Sequence, residues 1–312
     1  AQGNLADGKL VWESSIEPVI EVCETQSQLD TFRFFRFYWS SPYSEYVGRR
    51  IKLLIRDNAL PQKPLIGIAA LGSSIVHIPD RDTWIGWNTK TRTKNLVYVM
   101  DAYVLGALPP YNHILGGKLI SYLIASNEVR KIYEKKYKGK VTNISRRTAN
   151  RLACIFTTSL FGKSSQYNRL KYNGDLIFIP VGKTKGYGTL HLTDETFEAM
   201  RDLLKARNIS ATNRFGDGPI WRMRVIRNAG DILGFDSDFL LKHSFQREIY
   251  AVPLAGNFKE FLQGKQRNLK YSDCPLKNLV AHWKTRWLSN RKTNSDVKKA
   301  VVSFRVKDFR IK

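Results

Sequence analysis

Cysteine is scarce in this chain of 312 residues: Cys23, Cys154 and Cys274 are far apart and odd in number. No C-x-x-C pair or Cys/His cluster exists, which argues against a disulfide scaffold and against structural zinc. Cys154 falls in an apolar run, where a buried inert thiol is expected, and a reducing, cytoplasmic setting fits. No apolar run approaches the roughly 20 residues of a membrane-spanning helix, and no signal-peptide pattern opens the chain. The five histidines are isolated, without H-E-x-x-H, H-x-E or a Ser-centred G-x-S-x-G, and no Walker motif occurs. The usual local signatures of hydrolases are therefore missing. Acidic residues are outnumbered, 27 Asp and Glu against 51 Lys and Arg, for a net charge of +24.

That charge implies a polyanionic partner. Nucleic acid comes first, because neutralising phosphates supplies most non-specific affinity; a membrane surface is the runner-up. The chain is nonetheless built to fold, being 43% hydrophobic and 12% aromatic. Basic residues are densest between Lys118 and Arg151, where Lys135, Lys136, Lys138 and Lys140 precede Arg146 and Arg147, against only Glu128 and Glu134. A solvated helix face is the plain reading. A phosphate-contacting surface is the one preferred here.

Three segments are expected: an acidic N-terminal arm over 1–29, a mixed α/β core over 30–192, and a basic C-terminal elaboration over 193–312 packed on it. The chain opens on Ala1 rather than Met, as a fragment of a longer protein would. Asp30 can cap a helix bearing Phe32, Phe35 and Trp39, or the same residues form a strand; Ser40-Ser41-Pro42 ends either. Ile51–Ile55 and Leu65–Leu71 read as an antiparallel hairpin, Tyr103–Gly106 as a third strand, and Ile114–Leu123 as an amphipathic helix that runs on or breaks at Ser126-Asn127. Thr89 opens a helix through Val99, and a capping-box start at Thr193 opens another through Arg207. Pro219–Ile226 alternates apolar residues with Arg222 and Arg224, as a half-exposed strand would. A short strand at Ile249–Pro253 and a short helix at Asn257–Leu262 follow, and Trp283 and Trp287 sit one turn apart as a core stripe.

Leu152 to Leu192 carries the most site-like pattern. A buried strand from Ala153 leads to Gly162-Lys163-Ser164-Ser165, where Ser164 or Ser165 caps a short helix carrying Tyr167. The Asn173-Gly174 turn, a strand over Leu176–Val181 and the loop Gly182-Lys183-Thr184-Lys185-Gly186-Tyr187-Gly188 complete it. Tyr167 either packs or acts. A second stretch, Arg81-Asp82-Thr83-Trp84-Ile85-Gly86-Trp87, reads as a tryptophan loop that either packs down or lines a pocket for a planar group by stacking. Asp80, Asp82, Asp101, Asp175 and Asp194 are the carboxylates available for two-metal nuclease chemistry, should they converge. No metal ligand set is otherwise expected.

The element order is similar to that of the GNAT acyltransferase-like fold, in which a central parallel strand pair splays to leave a notch for an acyl thioester. The chain also resembles the DruA family of the Druantia anti-phage defence systems. The resemblance rests on Gly48-Arg49-Arg50 with Ile55-Arg56-Asp57, Leu65-Ile66-Gly67, Arg81-Asp82-x-Trp84-Ile85-Gly86-Trp87 with Arg92 and Asn95-Leu96, Tyr167 with Val181-Gly182-x-Thr184-Lys185-Gly186-x-Gly188, and Pro253-Leu254 with Trp283 and Arg286-Trp287. It covers most of residues 30–292 and implies defence against invading DNA, with a core distantly similar to the phage DNA-modification protein Mom. In such a core Tyr167 would be the general acid, Asp82 the base, and Trp84 and Trp87 stacking walls. Arg81, Asn95, Ser164, Thr184 and Gly186 would bind the substrate. Arg146, Arg147, Arg151, Lys183, Lys185, Arg222 and Arg224 would hold DNA phosphates. Acyl-CoA is the cofactor this implies, but the loop Tyr111–Lys118 places its adjacent glycines late and has no leading Arg. Three readings follow: a base-modifying or base-sensing DNA-binding protein, a non-catalytic DNA-binding subunit partnering a helicase, and a metal-dependent nuclease.

Overall fold

A computed structural model describes residues 2–39, 48–142, 146–160, 162–189, 192–210, 221–243 and 245–311. Helix α1 (Gly8–Glu13) precedes strand β1 (Pro18–Val22), and α2 (Gln26–Arg36) leads to the hairpin β2 (Arg50–Asp57) and β3 (Leu65–Ser73). Helices α3 (Pro79–Ile85) and α4 (Thr89–Asn95) come before β4 (Val99–Ala107), then α5 (Gly116–Ile124), α6 (Asn127–Tyr137) and β5 (Cys154–Thr158). A small hairpin, β6 (Lys171–Tyr172) and β7 (Asp175–Leu176), precedes β8 (Ile179–Lys183), α7 (Asp194–Ala206), α8 (Trp221–Leu233) and α9 (Ser237–Leu241). The chain returns with β9 (Glu248–Pro253) and closes with α10 (Phe258–Leu262), α11 (Leu276–Trp283), α12 (Ser289–Lys292) and α13 (Ser295–Val302).

Seven strands form one mixed sheet in the order β1-β2-β3-β4-β5-β9-β8. Neighbours are antiparallel except β4 and β5, which run parallel and share three register pairs, Val99 with Cys154, Met100 with Ile155 and Asp101 with Phe156. Beyond Asp101 the two strands part. The sheet draws on all three segments expected from sequence, since β1 lies at one edge and β9 is inserted between β5 and β8. β3 is buried along nearly its whole length, as a central strand covered on both faces must be.

Side chains alternate across a strand, so each β strand feeds two cores. One face carries Leu53, Ile66, Met100, Ile155 and Tyr250, covered by α5, α6 and α11 with Trp283 fully buried. The other carries two clusters. Phe32 and Phe35 of α2 pack over β2 to β4, and α3 and α10 pack over Val99, Cys154, Phe156 and Ala251. Helices α7, α8 and α9 close a separate small cluster around Phe197, Val225 and Leu241.

Several local expectations change. Helix α2 starts at Thr25, whose capping box with Gln28 outcompetes Asp30; the Ser40-Ser41-Pro42 break lies outside the described residues. Asn88, not Thr89, caps α4. The tryptophan loop is the helix α3, with Pro79 at its first turn and Gly86 in the left-handed region as its stop. The strand expected across Pro219–Ile226 is helix α8 from Trp221 on; Val225, Ile226 and Ala229 face inward at helical spacing, while 219 and 220 lie outside the described residues. Leu176–Val181 is divided between β7 and β8. The short helix expected at Tyr167 is a turn, because Lys118 takes the carbonyls of Ser165, Gln166 and Asn168 that a helix would use. The Asn173-Gly174 turn forms with both residues at positive φ, 51° and 90°, as a two-residue hairpin loop requires.

Candidate functional site

Helix α3 is built on a buried ionic cluster. Arg81 is wholly buried; its Nε and Nη2 donate to Asp82 Oδ1 at 2.8 and 2.6 Å. Its Nη1 donates to Ser74 Oγ at 2.9 Å and to the Ile75 carbonyl at 2.7 Å, and Nη2 to the Val76 carbonyl at 3.2 Å. The guanidinium also lies 5.6 Å from the Trp87 ring centre and 5.9 Å from that of Phe156. A charge taken out of water needs this degree of satisfaction. Asp82 Oδ2 accepts from Arg92 Nη1 at 2.9 Å and lies 2.9 Å from His77 Nδ1. His77 Nδ1 is also 2.7 Å from Arg92 Nη1, so the Nε2–H tautomer accepts from Arg92 and the Nδ1–H form donates to Asp82. On the far side of Arg81, buried Asp101 accepts from Ser74 Oγ at 2.6 Å and from the Ile75 amide at 2.9 Å. Burial raises its carboxyl to about 6, against the pull of Ser74, Ile75 and Arg81.

The rest of the motif joins helix ends. The indole Nε1 of Trp87 and the amide of Asn95 both donate, at 2.7 Å, to the carbonyl of Leu262, the last residue of α10. In return Gln263 Nε2 donates at 2.5 Å to the carbonyl of Ile85, the last residue of α3. Carbonyls at helix C-termini lack intrahelical partners, and these side chains supply them. Trp84 packs edge-on to Phe156 and tilted on Phe258, with Lys259 Nζ 3.8 Å above its ring centre. Both tryptophans are thus engaged within the protein.

The glycine-rich loop meets α3 directly. Asp80 Oδ2 accepts from the Lys183 amide at 2.9 Å. Gly182 is obligatory there, since a Cβ on it would sit 2.3 Å from Asp80 Oδ2 and its φ is 154°. The Thr184 amide donates to the Arg247 carbonyl, Thr184 Oγ1 accepts from the Arg247 amide, and the buried Gly186 presents its carbonyl to His243. Lys183 and Lys185 stay exposed. The two most specific sequence motifs therefore touch through Asp80.

Tyr167 lies elsewhere. It belongs to the core on the α5 face of the sheet, stacked on Phe178 at 5.0 Å and 3°, whereas α3 lies on the opposite face. Burial raises its phenol to about 12, a bond with Thr157 opposing the rise. The structure does not bring Tyr167 and Asp82 together. Ser164 stays near Tyr167, its amide donating to Tyr250 Oη at 3.2 Å. Of the five aspartates considered for metal chemistry, Asp82 and Asp101 flank Arg81, Asp80 serves Lys183, Asp175 stands in the small hairpin and Asp194 pairs with Arg222.

Where β4 and β5 part, the backbone is already partnered. Thr157 Oγ1 donates to the Ala102 carbonyl at 2.8 Å; Gln166 Nε2 donates to the Leu105 carbonyl at 3.2 Å and to Ser121 Oγ at 3.0 Å. Lys118, buried on α5, holds the Gln166 turn by its carbonyls and lies 4.5 Å from the Trp287 ring centre. Burial, aided by Arg169, lowers its ammonium to about 8. In the loop before α5, the His113 carbonyl accepts from Arg291 Nε at 2.9 Å and the Leu115 carbonyl from Trp283 Nε1 at 3.1 Å. The carbonyls along the gap between β4 and β5 and in the loop before α5 are thus taken by the protein's own side chains. Lys118 and Gln166 escape a motif search; the one signal for Lys118 is a cation beginning an otherwise apolar helical run.

The basic residues fall into two groups. Arg147 donates to the Thr93 carbonyl of α4. Arg151 donates to the Arg267 carbonyl at 2.7 Å and lies over Tyr98 and Phe261, 5.3 and 4.9 Å from their centres. Arg146 is exposed, as are Lys90 and Lys94 on α4 and Lys265 and Arg267 after α10. These segments, distant in sequence, form one cationic surface over α4 and α10. Arg222 instead belongs to the α7–α8 lobe, paired with Asp194 at 2.6 Å and set over Phe197; Arg224 lies half-buried on the same helix.

No helix among the described residues is long and apolar enough to cross a membrane. No solved structure matches the chain. A curated relative, the Druantia protein DruA of Escherichia coli (strain UMEA 4076-1), is 40% identical over 291 residues, covering 92% of this chain and 71% of the relative. The family model for Druantia protein DruA matches residues 2–264, which include the sheet, the α3 ionic cluster and the glycine-rich loop, and the chain belongs to the DruA family.

Proposed function

We propose that this chain is a DNA-binding protein of Druantia anti-phage defence, holding DNA by its phosphates on the cationic surface over α4 and α10. The observation that carries this reading is the junction of Arg147 with α4 and of Arg151 with the Arg267 loop. Each arginine uses one bond to fix its stem, leaving other guanidinium donors for phosphate oxygens. A net charge of +24 supplies the wider attraction. Lys183 and Lys185 extend the surface beside α3. Arg222, already paired with Asp194, contributes less. In this role the protein presents DNA to another defence subunit, such as a helicase.

The test is a salt titration of duplex binding. The expected result is a steep linear fall of log affinity with log salt, made shallower by Arg147→Glu with Arg151→Glu. Binding no tighter than that of an acidic control protein would end the proposal.

A second reading keeps a GNAT-like core that modifies or senses a base. It is supported by the parting of the parallel strands β4 and β5 after three register pairs. The partnered carbonyls at Ala102 and Leu105 and the buried Tyr167 weigh against its chemistry. Mass spectrometry of nucleosides from expressing cells separates the two: a mass shift abolished by Tyr167→Phe would favour modification.

A further inference from the structure

Ile75 and Val76 stand out on the surface next to α3. They are 51% and 60% exposed, and no other two of the strongly exposed large hydrophobic residues among the described residues are neighbours in the chain. Single exposed apolar side chains are ordinary. What sets this pair apart is its mount. The Ile75 amide is held by Asp101, and the Ile75 and Val76 carbonyls by two nitrogens of the wholly buried Arg81. Ser74, also buried, ties Asp101 to Arg81. Three charged groups, Arg81, Asp82 and Asp101, are thus desolvated beneath a tip whose side chains point no cation or carboxylate outward. Burying charges costs stability unless they are fully satisfied; here they fix the backbone of two aliphatic residues in water.

The surroundings are cationic. His77, next in the chain, contacts Arg92 of α4, and α4 accepts from Arg147 through the Thr93 carbonyl. The tip therefore adjoins the surface assigned above to DNA phosphates. Many proteins that kink DNA combine these two features, phosphate-holding cations and an apolar wedge that enters a base step.

We propose that Ile75 and Val76 form an apolar wedge that inserts between base pairs of the duplex held on the α4 surface, unstacking one step and kinking the DNA. This rests on the DNA-binding reading and sharpens it. A wedge neutralises no phosphate, so it changes duplex shape without changing the salt slope.

The test uses the full chain with a duplex carrying 2-aminopurine at successive steps and a dye pair at its ends. The expected result is a rise in 2-aminopurine fluorescence on binding together with closer ends. Ile75→Ser with Val76→Ser should bind more weakly with the same salt slope and lose both signals, while Val76→Phe should bend the duplex further. Both positions are exposed, and thermal melting checks that each variant folds. Binding by the unaltered protein without unstacking or bending overturns the wedge and leaves the DNA-binding reading standing. So does a double serine variant that still unstacks and bends. Absence of any DNA binding overturns both.

Discussion

The two faces of the sheet around β5 are built from alternate residues of the same strands, yet they follow different physics. On the α5 face, Ile155, Tyr167, Phe178 and Tyr250 pack by shape, and the polar groups present serve to hold turns closed. On the α3 face, Cys154 and Phe156 back a cluster of buried charges, and that cluster leads outward to a cationic surface. A buried ion network is a poor device for stability, since hydrophobic replacement often does as well. It is a good device for fixing backbone geometry, because each partner has one satisfactory position. The contrast teaches where to look for function. The face that carries the buried ion network is the one that presents cations and an apolar tip to solvent; the other face buries the cation Lys118 against turn carbonyls and carries the tyrosine that sequence alone makes prominent.

The sharpest way to break the comparison is Arg81→Met. It leaves Asp82 and Asp101 buried without their central cation and should destabilise the protein by about 3–5 kcal/mol, read by urea unfolding. A cost no greater than that of an exposed substitution would mean the cluster is not the rigid mount described. Next comes acidity. Burial raises the folded-state value of Asp101 from 3.8 to about 6, so the folded protein holds this proton more tightly than the unfolded chain. Its contribution is therefore fullest below the unfolded value and is lost as pH climbs toward 6. Against Asp101→Asn, the stability difference should move against the native protein by on the order of 2 kcal/mol between about pH 4 and about pH 6. A flat difference across that window would contradict it.

Charge reversal at Arg147 and Arg151 should lower the slope of log affinity against log salt by roughly 0.9 for each phosphate that is no longer neutralised, measured below the melting temperature of the variant, since both arginines also hold backbone carbonyls. The smallest effect is expected on the packed face. Tyr167→Phe removes one hydrogen bond while keeping the ring stacked on Phe178, at about 1 kcal/mol, and should leave DNA affinity unaltered. A large drop in DNA affinity there would erase the distinction between the faces.

Much of this was legible in the residues. The hairpin β2–β3, strand β4, the break at Ser126 and the start of α7 at Thr193 follow from local apolar patterning and caps that need no distant partner. The α3 helix was legible too, since Pro79, the acids Asp80 and Asp82 and Gly86 form a complete start and stop; the density of tryptophan favours a loop instead. Trp221–Ile226 is ambiguous because its alternation fits a strand over six residues and a helix only over the longer window that reaches Ala229. The turn at Gln166 could not have been read, because the lysine that holds it lies more than forty residues earlier.

By itself, then, the sequence determined the charge, strands β2 to β5 and β9, the starts of α6 and α7, and the two motifs that mark the family. These depend on composition and on neighbours a few residues apart. Only the tertiary structure decided that Tyr167 and Asp82 lie on opposite sides of one sheet, because strand alternation assigns a face only once pairing and register are known. It likewise decided that Arg147, Arg151 and α4 share a surface, and that Arg-Asp-x-Trp-Ile-Gly-Trp is a helix whose buried arginine grips the backbone of an exposed apolar pair. Each of those outcomes depends on desolvation and on partners far away in the chain.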